Sequence, residues 1–294
     1  MCHRQRLRAN TKVFTAKDYR AVAMCSALNP TISPSPFPLH LSRHTQSTYT
    51  FMTIATQFAA LIRQRRSVRD FLPTLIPNEV LYAVLEDANW SPSWSNTQPY
   101  RIAIASGPVR DKLAAELTTR FDAGMKAIAG GVFGKLKAFI TRQGLPDGDV
   151  KVDFAYPEDL VARRRATGFG LYKLLGIDRD DRAARNAQMR RNFTFFGAPT
   201  VIFVFVHKGL REYSVLDAGI FLQTFMLSAE ARGLATCAQG ALATWAGPVR
   251  AAFDVPEDYN LICGISVGFA SGHKVNAFNP GRAEVADMAI PTRK

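Results

Sequence analysis

No apolar run in this chain reaches the roughly 18 residues that suggest a membrane span, so a membrane protein is not expected. Cysteine is scarce, and Cys2, Cys25, Cys237 and Cys263 form neither a C-x-x-C pair nor a ligand spacing with histidine. That argues against a disulfide framework or a metal site, and makes a reducing, cytoplasmic setting the expectation. Histidine is thin as well. His3, His40, His44, His207 and His273 stand in no triad or metal spacing, so the usual hydrolytic equipment is missing. No Gly-x-Gly-x-x-Gly dinucleotide fingerprint is present. The net charge of +13 comes without a zinc finger, a helix-turn-helix or an aromatic-interleaved basic motif, which argues against nucleic acid as the partner.

Acid is nearly absent from residues 1–51, where seven Lys/Arg face only Asp18, so +6 of the +13 sits there. This stretch carries a cluster of prolines (Pro30, Pro34, Pro36, Pro38) and no hydrophobic period long enough for a packed element. It is expected to be a disordered basic tail, with Met52, just before the first helix, as the working start. An amphipathic Arg helix or an apolar signal core is poorly developed in it.

Residues 52–294 have the length and apolar content for a core. Ile54, Phe58, Leu61 and Ile62 make one stripe of a helix, and Pro77–Ala88 reads as a second. Tyr100–Ala105 alternates like a strand, Pro108–Thr119 returns to helix, and residues 120–190 look like a helical excursion over the core. Thr200–Val206 is a continuous apolar run, expected as a strand buried on both faces. Val215–Arg232 is apolar on nearly every side and predicts a core helix capped by Gly233. A short helix at Pro248–Phe253, a strand at Leu261–Phe269 and a polar, irregular tail complete the chain.

The chemistry concentrates where the first helix ends, at Arg65-Arg66-Ser67-Val68-Arg69-Asp70-Phe71. Val68 and Phe71 suit an extended segment, and its alternation turns Arg65, Ser67 and Arg69 to one side. Guanidinium forks so placed match phosphate oxygens. Taken alone, a short basic run is more often a solvated helix end, and Arg163-Arg164-Arg165 is read that way. An anion cradle without an acid–base pair fits a protein whose cofactor carries the chemistry.

One helix later comes Ser91-Pro92-Ser93-Trp94-Ser95-Asn96-Thr97-Gln98-Pro99-Tyr100. The pair, Arg-Arg-Ser-Val-Arg after a helix and then Pro-Ser-x-x-Asn-x-Gln-Pro, resembles the FMN-dependent nitroreductase family over roughly residues 53–290. The resemblance implies an α+β fold, with a central mixed, mainly antiparallel sheet flanked by helices, and an intertwined homodimer with FMN at the interface. It implies that Arg65, Arg66, Ser67 and Arg69 bind the phosphate and ribityl hydroxyls, with Arg282 completing the phosphate site. Pro92, Ser93 and Asn96 would reach the flavin of the other subunit, while Gln98 holds their loop. Gln239-Gly240 matches the position where the family points a backbone N–H at flavin N5, and Cys237 nearby reads as a small buried residue. Asn279-Pro280-Gly281 stands where a second basic residue often precedes the C-terminal arginine.

The implied reaction is ping-pong: NAD(P)H gives hydride to flavin N5, and the reduced flavin passes electrons to a small-molecule acceptor such as a nitroaromatic, quinone or enone. No catalytic side chain is assigned. A flavin-dependent dehydrogenase or dehalogenase on the same scaffold, or a non-catalytic FMN-binding protein, stands beside this reading, with residues 120–190 expected to set the choice.

Overall fold

The computed structural model describes residues 53–141, 144–151 and 156–293; the expectation for residues 1–51 lies outside them. Four strands, β1 (Tyr100–Ser106), β2 (Thr200–His207), β3 (Ala235–Gln239) and β4 (Tyr259–Gly268), form an antiparallel sheet in the order β1-β2-β4-β3. A parallel bridge from Ser67 to Thr236 lies beyond β3, so the cradle segment itself makes the sheet mixed.

β2 organises both sides of this sheet. Its apolar run is continuous, yet successive side chains still alternate. Val201, Phe203 and Phe205 enter one core with Leu113, Leu117 and Phe121. Ile202, Val204 and Val206 enter the other with Val84, Phe221 and Phe225. Gly264 on β4 must stay small, because a Cβ there would meet Leu242 Cδ1 at 2.5 Å.

Helices cover the sheet: α1 (Ile54–Gln64), α2 (Asn78–Asn89), α3 (Gly107–Ala129), α4 (Gly131–Thr141), α5 (Glu158–Leu175), α6 (Arg182–Arg190), α7 (Glu212–Ala231), α8 (Gly247–Ala252) and α9 (Val285–Met288). α3 runs ten residues past the predicted end at Thr119, through Gly124. The excursion thus comprises the second half of α3 together with α4, α5 and α6. Arg163, Arg164 and Arg165 are exposed on α5, as expected of a solvated face. No helix among the described residues is long and apolar enough to cross a membrane.

α7 ends as predicted. Gly233 takes φ +73°, donates to Glu230 O, and leaves the Leu234 N–H to bond Ala229 O, which satisfies the last carbonyls. Its burial is narrower than an all-round core helix, however. Ser214, Asp217, Ala218, Phe221, Phe225, Ser228 and Ala229 make a buried stripe, whereas Val215 and Leu216 are 48% and 59% exposed. α1 forms where the stripe predicts it. Its amphipathic pattern forms the helix, capped by the Thr53 side chain accepting from the Thr56 N–H, but no residue of it is buried and Ile54 is 85% exposed. The apolar faces of α1 and α7 instead border an open groove of about 710 Å³ lined by Phe58, Leu61, Leu216, Ile220 and Leu227.

Candidate functional site

The cradle forms because α1 stops at the edge of the sheet. Arg65 leaves the helix with ψ 124° while its N–H still bonds Leu61 O. The chain then runs along the free edge of β3, where Val68 donates to Thr236 O at 3.0 Å and buries its side chain. Two bonds fix the next residue: the Arg69 N–H donates to Asn276 Oδ1 at 2.9 Å, and its guanidinium donates to Ser67 O at 3.1 Å. The Asn276 amide also donates to Asp70 O at 2.8 Å and Ser271 O at 3.1 Å, so one side chain brackets the Arg69–Asp70 backbone.

Asp70 pairs with Arg191 at 2.5 Å and accepts from the Ser271 hydroxyl. Burial alone would raise its pKa, but the Ser271 and Arg191 hydrogen bonds and the charges of Arg191 and His273 bring it below the ordinary carboxylate value.

Arg65, Arg66 and Arg69 themselves pair with no carboxylate among the described residues. Arg65 and Arg69 both lie within electrostatic reach of Cys237 on β3, and Arg65 and Arg66 within reach of Glu230 near the end of α7. Burial nonetheless pushes the Cys237 thiol up to about 11, against those two arginines. It is a neutral, buried thiol at physiological pH, as the sequence suggests.

β3 carries the next part of the site. The Gln239 side chain is buried, donating to Asn192 O at 2.9 Å and accepting from the Ser266 hydroxyl at 2.5 Å. With the side chain held inward, the chain emerges at Gly240, above which a Cβ would meet nothing within 4 Å. That open space lets a flat ligand approach the backbone.

The Pro92–Gln98 loop is a strained turn. Ser95, Asn96 and Gln98 all take positive φ (48°, 54° and 41°), a region non-glycine residues rarely adopt. Gln98 braces it, donating from its N–H to Ser93 Oγ at 2.9 Å and from its amide to Asn96 O at 2.6 Å and Asn96 Oδ1. Both Ser93 Oγ and Asn96 Oδ1 therefore act as acceptors within the loop, which leaves a serine O–H and an asparagine NH₂ to donate outward. Two contacts tie the loop to α7. Ser91 Oγ donates to Thr224 Oγ1 at 2.9 Å, and the Trp94 N–H bonds both carboxylate oxygens of Asp217 at 3.1 and 3.2 Å.

Arg282 stands apart. It is exposed, and its guanidinium donates to the carbonyls of its own loop at Pro280 and Gly281. His207 and His273 use Nδ1 to accept from the Gly209 and Val275 N–H groups, as structural turn residues.

Sequence reasoning did not pick out Asn276, Asp217, Arg191 or Asn192. For Asp217 there was a signal, a carboxylate set inside a largely apolar helix whose other two acids, Glu212 and Glu230, lie at its ends. Asn276 offered none, because its partners lie some 200 residues earlier in the chain.

The model of the Nitroreductase family matches residues 62–269. The chain is 32% identical over 234 residues to a 4-nitrobenzoate reductase of Nocardioides sp. (strain LMS-CY), covering 79% of this chain and 88% of that protein. It is 35% identical over 238 residues to nitroreductase NfnB of Mycolicibacterium smegmatis, covering 79% and 90%. A crystal structure of the FMN-dependent nitroreductase NfnB from Mycobacterium smegmatis in complex with NADPH superposes with a TM-score of 0.66 at 34% identity, covering 81% of this chain and all of that one. With the arginine segment and the Ser-Asn loop both inside the matched region, this chain belongs to the nitroreductase family.

Proposed function

We propose that this protein is an FMN-dependent oxidoreductase that passes electrons from NAD(P)H to a nitroaromatic, a quinone or a similar small acceptor, acting as a homodimer. The observation that carries the reading is the segment bridged to the edge of β3 at Ser67, whose Arg65, Arg66 and Arg69 pair with no carboxylate among the described residues, together with the open backbone at Gly240. The relatives support it: one is a 4-nitrobenzoate reductase, and one is FMN-dependent and crystallised with NADPH.

The residues present fit FMN. Arg65 and Arg69 offer forked, permanently charged donors to a phosphate, and Ser67 and Arg66 lie beside them for the ribityl hydroxyls. Gly240 allows the ring to lie against the main chain, while Asn192 and Ser266 keep the Gln239 side chain out of the way. The outward donors of Ser93 and Asn96 suit the acceptor oxygens of the ring, with Pro92 shaping the loop, while Arg282, bonded to the carbonyls of its own loop, is left out of this fit. FMN, when bound, supplies hydride acceptance from the nicotinamide and electron delivery to the acceptor. The chain binds, orients and excludes water, and protons reach the acceptor from solvent.

The exposed apolar faces of α1 and α7 are the surface for a second copy, since a groove this apolar on a solitary protomer exposes Phe58, Val215 and Leu216 to water.

The test is direct. The purified protein should release FMN on denaturation and should consume NADH or NADPH steadily with menadione or a nitrofuran. A colourless protein that takes up no added FMN overturns the reading. FMN binding without turnover returns it to a store or sensor.

A further inference from the structure

The Ser93–Gln98 turn has an anchor that lies outside the loop. Asp217 is 3% exposed on the buried stripe of α7, and both of its oxygens accept from a single group, the Trp94 N–H. A buried carboxylate can accept about four hydrogen bonds, and one without charged company is costly. It forms no ion pair among the described residues, and the Tyr100 phenol in its electrostatic reach has a buried hydroxyl without a partner, which burial and Asp217 together hold above the ordinary tyrosine value. Packing alone would favour an apolar residue at this position. The loop it holds also contains three non-glycine residues at positive φ, which persist only where the surroundings impose them.

We infer that Asp217 is a positioning residue: from the rigid helix α7 it clamps the Trp94 amide and so sets the turn that presents Ser93 and Asn96 to the flavin ring. The inference rests on the FMN reading above. It assigns Asp217 no contact with the cofactor.

Three measurements test it on the full chain. Hydrogen exchange reads the Trp94 amide, FMN titration of the apoprotein reads the site, and the melting temperature without FMN reads folding. Asp217→Leu keeps the volume and removes the acceptor, so Trp94 exchange should rise about tenfold or more and FMN affinity should fall about tenfold. Asp217→Asn keeps a side-chain oxygen that can still accept from Trp94, and should restore both to within about threefold. Trp94→Pro removes the donor from the other side, and should weaken FMN relative to Trp94→Ala even if Asp217→Leu fails to fold. Unchanged FMN affinity in Asp217→Leu, or equal affinity in Trp94→Pro and Trp94→Ala, overturns the inference while the flavin reading stands. Wild-type protein that takes up no FMN overturns both.

Discussion

Asp217 and Glu230 stand about 20 Å apart on α7, at 1.5 Å of rise per residue. One holds the Trp94 amide and the other lies within electrostatic reach of Arg65 and Arg66. The loop and the cradle of one protomer are thus held at opposite ends of the same helix. This separation supports a site assembled from the cradle of one protomer and the loop of its partner.

Disrupting the shared face should then dismantle the site from a distance. Leu216→Arg puts a charge on the exposed apolar face of α7, and should shift the protein toward monomer in analytical ultracentrifugation. FMN affinity should fall with it, although Leu216 belongs to neither the cradle nor the loop. A monomer that binds FMN as tightly as wild type would rule out the two-protomer site.

Arg69→Ala should weaken FMN more than Arg164→Ala. A charge-assisted bond to phosphate contributes on the order of 1.5–3 kcal/mol, or about ten- to a hundredfold in affinity. Arg164 is exposed, stacked on Tyr156 at 4.8 Å, and its loss should stay within about 0.5 kcal/mol of neutral. Flavin fluorescence titration of the two apoproteins makes the comparison.

Asn276→Ala should act on the cradle through the backbone. It strands the Arg69 N–H and frees Asp70 O from one of its donors. The expected loss is about 1–3 kcal/mol, or roughly 2–12 °C in melting temperature at this size, with weaker FMN binding beside it. Asn276→Asp should not rescue, because it turns a carboxylate toward the carbonyls of Asp70 and Ser271.

The Asp70–Arg191 pair should show in acid. The folded pKa of Asp70 lies below the ordinary 3.8, so its contribution is complete above that value and is lost as pH falls through the lowered one. The stability advantage of wild type over Asp70→Asn should be constant near neutrality and shrink below about pH 4. Urea midpoints at a series of pH values follow it.

A chain beginning at Met52 should keep the melting temperature and flavin content of the full chain, since residues 1–51 are acid-poor and proline-interrupted. A large loss of either would show that this stretch packs on the fold.

Local signals were legible where one residue type decides the outcome. The β-branched run of β2, the Gly233 cap and the proline before α2 each carry their structure in a few neighbouring residues. The extended course of the segment after Arg65 was readable from Val68 and Phe71, and the parallel bridge at Ser67 provides that backbone. What could not be read was set by distant partners. The helical pattern of α1 says only that it has an apolar side, not that this side faces outward from the protomer. Nothing local in the sequence says that Asp217 bonds Trp94, 123 residues earlier in the chain. α3 outran its predicted end through Gly124, where a Cβ would stand 3.1 Å from the Gly144 carbonyl, a neighbour 20 residues on.

The Asn276 bracket also has a consequence for synthesis. Arg69 leaves the ribosome early, yet the amide that fixes its backbone emerges some 200 residues later, after Thr236 has supplied the edge on which the segment lies. A nascent chain therefore carries its arginines unformed for most of translation. The backbone that presents them is completed only when the last strand and the segment after it have been made.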